Sequence, residues 1–311
     1  MDFQITPLTD GPSPRPPGPR GARPKDRLRG FGRAGGFAIA VTGIDLGAPL
    51  PDADFARLRR AWFGAGAMVV RDQQLAPDAQ IAFSRRFGPL IIHVMDQFLL
   101  PGHPEILLIS NRKRADGTPV GFEDAGRYWH SDISYQAEPA LGSLLYAVEI
   151  PPAGGDTMFA DMVRAWETLP AATRARIECR RALHSFSRTH AARATVAGGR
   201  PALSGAQLAK LADVAHPMVR TVEDTGRRAL YVNPGFTYAI ADMEPADSDA
   251  LLQDLFEHST RPEFRYVHTW RPGDLLCWDN RSVMHHATLY DPAHIRHMHR
   301  TTIQGARPCP G

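Results

Sequence analysis

Apolar residues along this chain follow two spacings, a strand-like alternation and a helix-like recurrence near every fourth position. Alternation or short apolar runs predict strands at residues 36–41, 67–70, 105–110, 141–150, 182–186, 228–233, 263–270, 274–278 and 297–303. In 263–270 the alternation is plain, with Phe264, Tyr266, His268 and Trp270 on one face. Helix spacing marks 54–63, where Phe55, Leu58 and Trp62 share a face, and 77–87, where Pro77 suits a first helical turn. Further helices are predicted at 161–179, 205–213 and 247–258, the last aligning Leu251, Leu252, Leu255 and Phe256.

Strands outnumber helices and do not alternate with them in regular β-α-β units. That argues against a doubly wound parallel sheet. The expected class is mostly β with helical insertions, a double-stranded β-helix or jelly-roll barrel. No internal repeat interrupts residues 36–305, which read as one domain.

Composition changes this picture only at the start of the chain. Of 311 residues, the first 35 hold seven Pro and six Gly, with six Arg and one Lys against three Asp. Proline removes backbone donors and glycine adds entropy, so residues 1–35 are expected to be a disordered tail. A short C-terminal tail, 306–311, is expected after the domain. The whole chain carries a net +3 and this stretch +4, so the remainder is close to neutral. A neutral body lacks the basic face that nucleic-acid binding needs. No apolar run approaches the roughly 18 residues of a membrane helix. Met1-Asp2-Phe3 does not open a secretory signal. Cys179, Cys277 and Cys309 are odd in number, widely spaced and without a CxxC, which fits reduced thiols and gives no zinc signature. A soluble cytoplasmic protein without nucleic-acid or membrane partners is expected.

Histidine is where the candidate chemistry begins. The chain has 13, and five of them lie between His285 and His299. Tyr128-Trp129-His130-Ser131-Asp132 contains a His-x-Asp pair; on a strand, positions two apart face the same way and can grip one ion. Far downstream, 274–278 reads as a strand ending in the polar turn Asp279-Asn280-Arg281, followed by Val283-Met284-His285-His286. A histidine from there would complete the two-histidine, one-carboxylate triad of non-haem Fe(II) oxygenases. Adjacent residues in extended chain point to opposite sides, so one of His285 and His286 can serve. Spacing does not choose between them.

Several motifs stand in a telling order. They are Gly43-Ile44-Asp45-Leu46, Phe83-Ser84-Arg85-Arg86-Phe87-Gly88, Trp129-His130-Ser131-Asp132 and Gly154-Gly155-Asp156-Thr157, then Trp278-Asp279-Asn280-Arg281, His285, Arg296 and Arg300. This set resembles the taurine and dichlorophenoxyacetate dioxygenase family of Fe(II)- and 2-oxoglutarate-dependent oxygenases, from about Gly36 to Gly305. The resemblance implies metal ligation by His130, Asp132 and His285, with His286 at a variable position. It assigns the distal carboxylate of 2-oxoglutarate to Arg296 and Thr157, with Arg300 on the same face. A guanidinium fork and a hydroxyl donor suit a carboxylate. Without the resemblance, Arg296 and Arg300 read as a solvated basic edge.

The resemblance also bears on the primary substrate. His93, Arg300 and the backbone N–H of Ile133 match positions where family members hold sulfonates or carboxylates. Phe186, Phe236 and Tyr238 are candidate pocket walls, although aromatic residues so placed also serve as plain core. Amine-recognising positions of taurine-type enzymes fall near Asp96 and Gly126, and neither keeps the family's residue, which speaks against taurine itself. Asp132 fills the place where related halogenases hold a halide, so hydroxylation is the implied outcome. The implied enzyme uses Fe(II), 2-oxoglutarate and O2 to hydroxylate a small anionic molecule: a sulfonate, sulfate ester or carboxylate. Cleavage of a C–S or C–O bond follows where the hydroxylated carbon carries such a leaving group. The alternatives are a biosynthetic hydroxylase or desaturase of an amino-acid-like molecule, and a metal-binding barrel without catalysis. Dimers or tetramers are common in the resembling family, so a homo-oligomer is expected.

Overall fold

The computed structural model describes residues 3–8, 37–123, 125–194, 204–208 and 211–311. Strands β1 (Gln4–Leu8) and β2 (Ala38–Thr42) lead to α1 (Asp52–Ala65), β3 (Ala67–Val70) and α2 (Pro77–Arg85). Then come β4 (Leu99–Leu100), β5 (His103–Ser110), β6 (Ala140–Glu149), β7 (Thr157–Asp161), α3 (Met162–Thr168), α4 (Ala171–Ile177) and β8 (Arg181–His184). Next are α5 (Phe186–Ala194), α6 (Gly205–Leu208), β9 (Val214–Pro217), the hairpin β10 (Val219–Val222) and β11 (Arg227–Leu230), β12 (Thr237–Ile240) and α7 (Pro245–Ser259). The last strands are β13 (Arg265–His268), β14 (Leu275–Asp279), β15 (Val283–Ala287) and β16 (His297–Gln304).

Two sheets matter for the site. Eight strands pair in the order β1-β2-β3-β14-β6-β16-β5-β4, and three more pair as β13-β7-β15. Their inner faces enclose one apolar core, with Leu107, Leu145, Leu276, Trp278 and Met298 from the larger sheet against Phe159, Tyr266 and Val283 from the smaller. The period-two rule explains why several strands are apolar throughout. In β14, Leu276 and Trp278 enter this core, while Leu275 and Cys277 enter a second core under α1 and α2. In β3, Ala67 and Val69 face one way and Met68 and Val70 the other. Helix α1 returns the chain between the parallel strands β2 and β3 and buries Leu58, Trp62 and Phe63 on the sheet. Each such buried side chain contributes roughly 1.5–3 kcal/mol. The smaller sheet is backed in turn by α3 and α7, through Val163, Trp166, Leu251 and Leu255 against Ala160 and Met284.

The chain is therefore mostly β with helical insertions. Several local expectations are corrected. Residues 4–8, placed in the expected tail, form β1, antiparallel to β2, and Phe3 is buried beside them. The rest of that stretch, 1–2 and 9–35, lies outside the described residues. The end of the chain is also packed: Thr221 and Gly311 exchange backbone hydrogen bonds with Cys309 and Val219, and Arg228 donates to the carbonyl of Gly311. The helix expected over 161–179 is two helices, because Pro170 cannot continue one and instead starts the next. Asp161 caps the first, accepting from the N–H groups of Val163 and Arg164 at 3.1 Å. Of the helix expected over 205–213, residues 205–208 form the single turn α6, 211–213 are not helical, and 209–210 lie outside the described residues. The strand expected over 263–270 opens with a 3-10 turn, and only 265–268 pair. No helix of the described residues is long and apolar enough to cross a membrane.

Candidate active site

His285 lies on β15, whose partner is β7. The register sets His285 opposite Phe159 and His286 opposite Met158. Phe159 belongs to the inner core, so His285 points inward, its ring 4.6 Å from Trp278 and 6.2 Å from Phe159. His286 turns outward, its ring 5.6 Å from Trp129. Pairing across the sheet makes the choice that spacing left open.

His130 reaches the same point by a different route. It forms an isolated bridge with His285, with reciprocal backbone bonds of 3.0 and 2.8 Å, and the two rings lie 4.0 Å apart. Asp132 is not on a strand, contrary to the reading of the His-x-Asp pair; it sits in a turn, and the turn aims its carboxylate back at His130. The next residue, Ile133, has φ 55°, a conformation that β-branched residues rarely adopt. The ligand atoms of His130, Asp132 and His285 lie within 4.8 Å of one another, and all three residues are buried.

The donor chemistry fits a divalent transition metal. His130 donates its Nδ1 proton to the carbonyl of Tyr128 at 2.8 Å, which leaves the Nε2 lone pair free toward Asp132 at 3.6 Å. Burial, reinforced by His130, holds His285 neutral well below the ordinary histidine range. Burial alone would raise the Asp132 carboxyl, but Arg300, then His285 and His130, hold it well below the usual carboxylate range. Two neutral imidazoles and one carboxylate on one side are the donor set of a facial triad.

Asp132 is also held from behind. Ser143 donates to its Oδ2 at 2.7 Å, and the Trp278 indole N–H at 3.1 Å. Arg300 donates to Oδ1 at 3.0 Å. Asn280 accepts from the Asp132 N–H at 3.1 Å and donates to Ser143 at 3.3 Å. Sequence reasoning missed this cradle, since Ser143 lies on β6 in an otherwise ordinary run. The same turn binds itself together: Asp279 takes a two-pronged contact from Arg281, which also reaches Glu223 and Asp224.

Two cavities meet at this centre and share Ala125, Gly126, His130 and Arg300. The first is lined further by Thr157, Trp278, His285 and Arg296. Arg296 is buried, and its Nε has no hydrogen-bond partner among the described residues. Burial pulls its guanidinium down to about 10, more than nearby Tyr290 and Asp156 restore. Gly155, at φ 69°, lets the Arg296 side chain pass; a Cβ there would come within 3.2 Å of Cδ and Nε. Arg296 and Arg300 thus face one cavity and do not form a solvated edge.

The second cavity is lined by His93, Ile133, Phe186 and Phe236, as the sequence suggested, and also by Phe122, Tyr128 and Tyr135, which it did not. The missed tyrosines flank the His-x-Asp pair closely, and that proximity was the available signal. Phe186 begins α5 and does not end a strand. His93 accepts the Met95 N–H on Nδ1 at 3.1 Å, which puts its own proton on Nε2. Tyr238 is not brought to either cavity; its hydroxyl donates to Asp213 at 3.0 Å and Arg188 covers its ring at 4.3 Å. Of the positions read against taurine, Gly126 lines both cavities and Asp96 is exposed in a 3-10 turn.

Fold and triad together define a non-haem metal oxygenase. Comparison with known proteins makes the assignment more specific. The profile of the taurine catabolism dioxygenase TauD, TfdA family matches residues 28–302, and the chain belongs to that family. It is 35% identical over 275 residues to the alpha-ketoglutarate-dependent 2,4-dichlorophenoxyacetate dioxygenase of Cupriavidus pinatubonensis, covering 86% of this chain and 94% of the relative. It is also 35% identical over 234 residues to pentalenolactone F synthase of Streptomyces arenae, covering 70% of this chain and 75% of the relative. Among solved structures, AAD-2 in complex with Mn(II) and N-oxalylglycine superposes with a TM-score of 0.73 at 31% identity, over 90% of this chain and 97% of that one. The protein is a 2-oxoglutarate-dependent non-haem Fe(II) dioxygenase, with Fe(II) as metal and 2-oxoglutarate and O2 as cosubstrates.

Proposed function

We propose that this enzyme hydroxylates a small anionic substrate with an apolar, ring-sized body, a carboxylate or sulfonate in the first instance. The observation that carries the reading is Arg300 at the junction of the two cavities. One of its nitrogens is spent on Asp132, while its buried Nε has no partner among the described residues. An anionic head group supplies the acceptor that this donor lacks. His93 Nε2 and the Ile133 N–H are further donors on the same side, and Phe186, Phe236, Tyr128 and Tyr135 form an apolar wall for the body. The relatives' names fit this range, from an aryloxyacetate to pentalenolactone.

In this reading His130, Asp132 and His285 hold iron, which with 2-oxoglutarate supplies the oxidising chemistry when bound. The chain's own part is binding and exclusion. Arg296 and Thr157 take the distal carboxylate of the cosubstrate. The Tyr128 carbonyl locks the His130 tautomer, and the Ser143–Trp278 pair keeps Asp132 in place. The rings of Phe186 and Phe236 shut water from the reacting carbon. Where that carbon carries an ether or sulfonate, loss of the substituent follows hydroxylation. We further propose that residues 36–305 form a double-stranded β-helix, assembled as a homo-oligomer in the cytoplasm.

The test is succinate release from Fe(II)-loaded enzyme against a panel of aryloxyacetates, alkyl sulfonates, sulfate esters and free amino acids. Stimulation by anions with a ring or branched body, with hydroxylated or cleaved product, is expected. Stimulation confined to zwitterionic amino acids would replace this reading with the biosynthetic hydroxylase.

A further inference from the structure

Hydrogen-bond bookkeeping around Thr157 points to a residue outside both ligand sets. The Trp270 indole N–H donates to Thr157 Oγ1 at 3.2 Å. A threonine hydroxyl has one proton to give and two lone pairs to receive on. The tryptophan fills a receiving position, and among the described residues the hydroxyl's own proton has no protein acceptor. Thr157 lines the cavity that Arg296 and Arg300 also line, so its hydroxyl joins two guanidinium Nε groups that have no acceptor among the described residues.

Trp270 itself is firmly held. It is buried in the core between the sheets and meets the His268 ring edge-on at 4.7 Å and 88°. His268 is fully buried; its Nε2 reaches Asp274 at 3.1 Å, and the Tyr266 hydroxyl donates to its Nδ1 at 3.3 Å. Asp274 is fixed by Arg71 at 2.6 Å and by the Arg271 N–H at 2.9 Å. A continuous chain of contacts thus runs from Arg71 through Asp274, His268 and Trp270 to the hydroxyl at the cavity wall.

We infer that Trp270 is a positioning residue for the cosubstrate: by occupying the Thr157 oxygen, its indole N–H turns the threonine proton into the cavity, toward the distal carboxylate of 2-oxoglutarate. The inference rests on the proposed binding of that carboxylate by Arg296 and Thr157. Trp270 acts only through Thr157 and touches no reacting atom.

The test is a pair of anaerobic titrations of Fe(II)-loaded enzyme, reading the visible charge-transfer band. One uses 2-oxoglutarate; the other uses 2-oxobutyrate, which has the same keto-acid end and no distal carboxylate. Trp270→Phe should weaken 2-oxoglutarate about fivefold and leave 2-oxobutyrate and iron affinity unchanged, since one oriented hydrogen bond to a charged group is at stake. Thr157→Val should weaken 2-oxoglutarate about 20-fold, and adding Trp270→Phe to it should cost nothing more. If phenylalanine lowers the melting temperature, a benzothiophene analogue of tryptophan at position 270 removes the N–H and keeps the shape. Equal losses with both acids, additive losses with Thr157→Val, or parental binding in the variant would each overturn the role of Trp270. Absence of the 2-oxoglutarate band in the parent, with iron bound, would instead overturn the cosubstrate reading beneath it.

Discussion

The two cavities that meet at the metal centre are made of different material. On the Arg296 side, the walls are mostly strand residues: Ile109 on β5, Leu145 on β6, Thr157 on β7, Trp278 on β14, His285 and Ala287 on β15, Arg300 on β16. On the Phe186 side, His93, Phe122, Tyr128, Ile133, Tyr135 and Phe236 all lie outside regular strands, and Phe186 opens a helix. The sheet side carries buried donors and a cation; the loop side carries rings. Strands locked on two faces hold donors to within tenths of an ångström, which a shared cosubstrate requires. Loops change length and side chains without disturbing the sheets, which suits a substrate that differs between relatives.

The largest expected effect falls where both regions meet. Asp132→Ala should abolish Fe(II) binding and 2-oxoglutarate turnover, by about a thousandfold or more, with near-native circular dichroism. Iron binding lost in His285→Ala and kept in His286→Ala would confirm the inward face of β15; the opposite pattern would move the centre by one residue. On the sheet side, Arg296→Gln should weaken 2-oxoglutarate about 100-fold and leave the substrate's KM within twofold, because a buried charged contact is lost. On the loop side, Phe236→Ala should raise the substrate's KM about tenfold and spare 2-oxoglutarate binding. If either variant moves both constants equally, the two regions are not separable.

The smallest effect concerns pH and the brace beneath the loop side. His216 donates to the Gln136 carbonyl at 2.9 Å, next to Tyr135, and burial holds its imidazole down to about 4, against an ordinary 6.5. Between those values the unfolded chain takes up a proton that the folded chain refuses. Stability is therefore complete above pH 6.5 and falls as the pH drops toward 4. Urea midpoints at pH 7, 5.5 and 4.5 should decline in that order, and His216→Gln should flatten the decline. An unchanged slope in that variant would assign the acid sensitivity elsewhere, His299 being the next candidate, since burial holds it to about 4 as well.

Much of the sheet was legible. The runs that became β2, β3 and β14 are apolar at every position but an end residue because both of their faces are covered, and their boundaries hold to within two residues. Strand β7 was missed because its five residues pass straight into the helix that Asp161 caps, and the two patterns merge. The first strand was missed because Gln4–Leu8 alternates too weakly to show in a proline-rich stretch; its stability comes from β2. Tyr238 illustrates the opposite error, an aromatic residue near the pocket in sequence whose side chain the sheet turns toward Asp213.

By itself the sequence determined what local physics decides: where chain is covered on one face or two, where helices start, and which residue types are present to bind a metal and an anion. Only the tertiary structure decided which of those residues meet. His130 and His285 are 155 positions apart and come together through one bridge across a turn. Ser143 becomes a partner of Asp132, and Trp270 of Thr157, because strands distant in sequence are neighbours in the sheets. Periodicity reports on a residue's own surroundings within a few positions, whereas a site is a convergence of long-range pairings, and no local pattern encodes those.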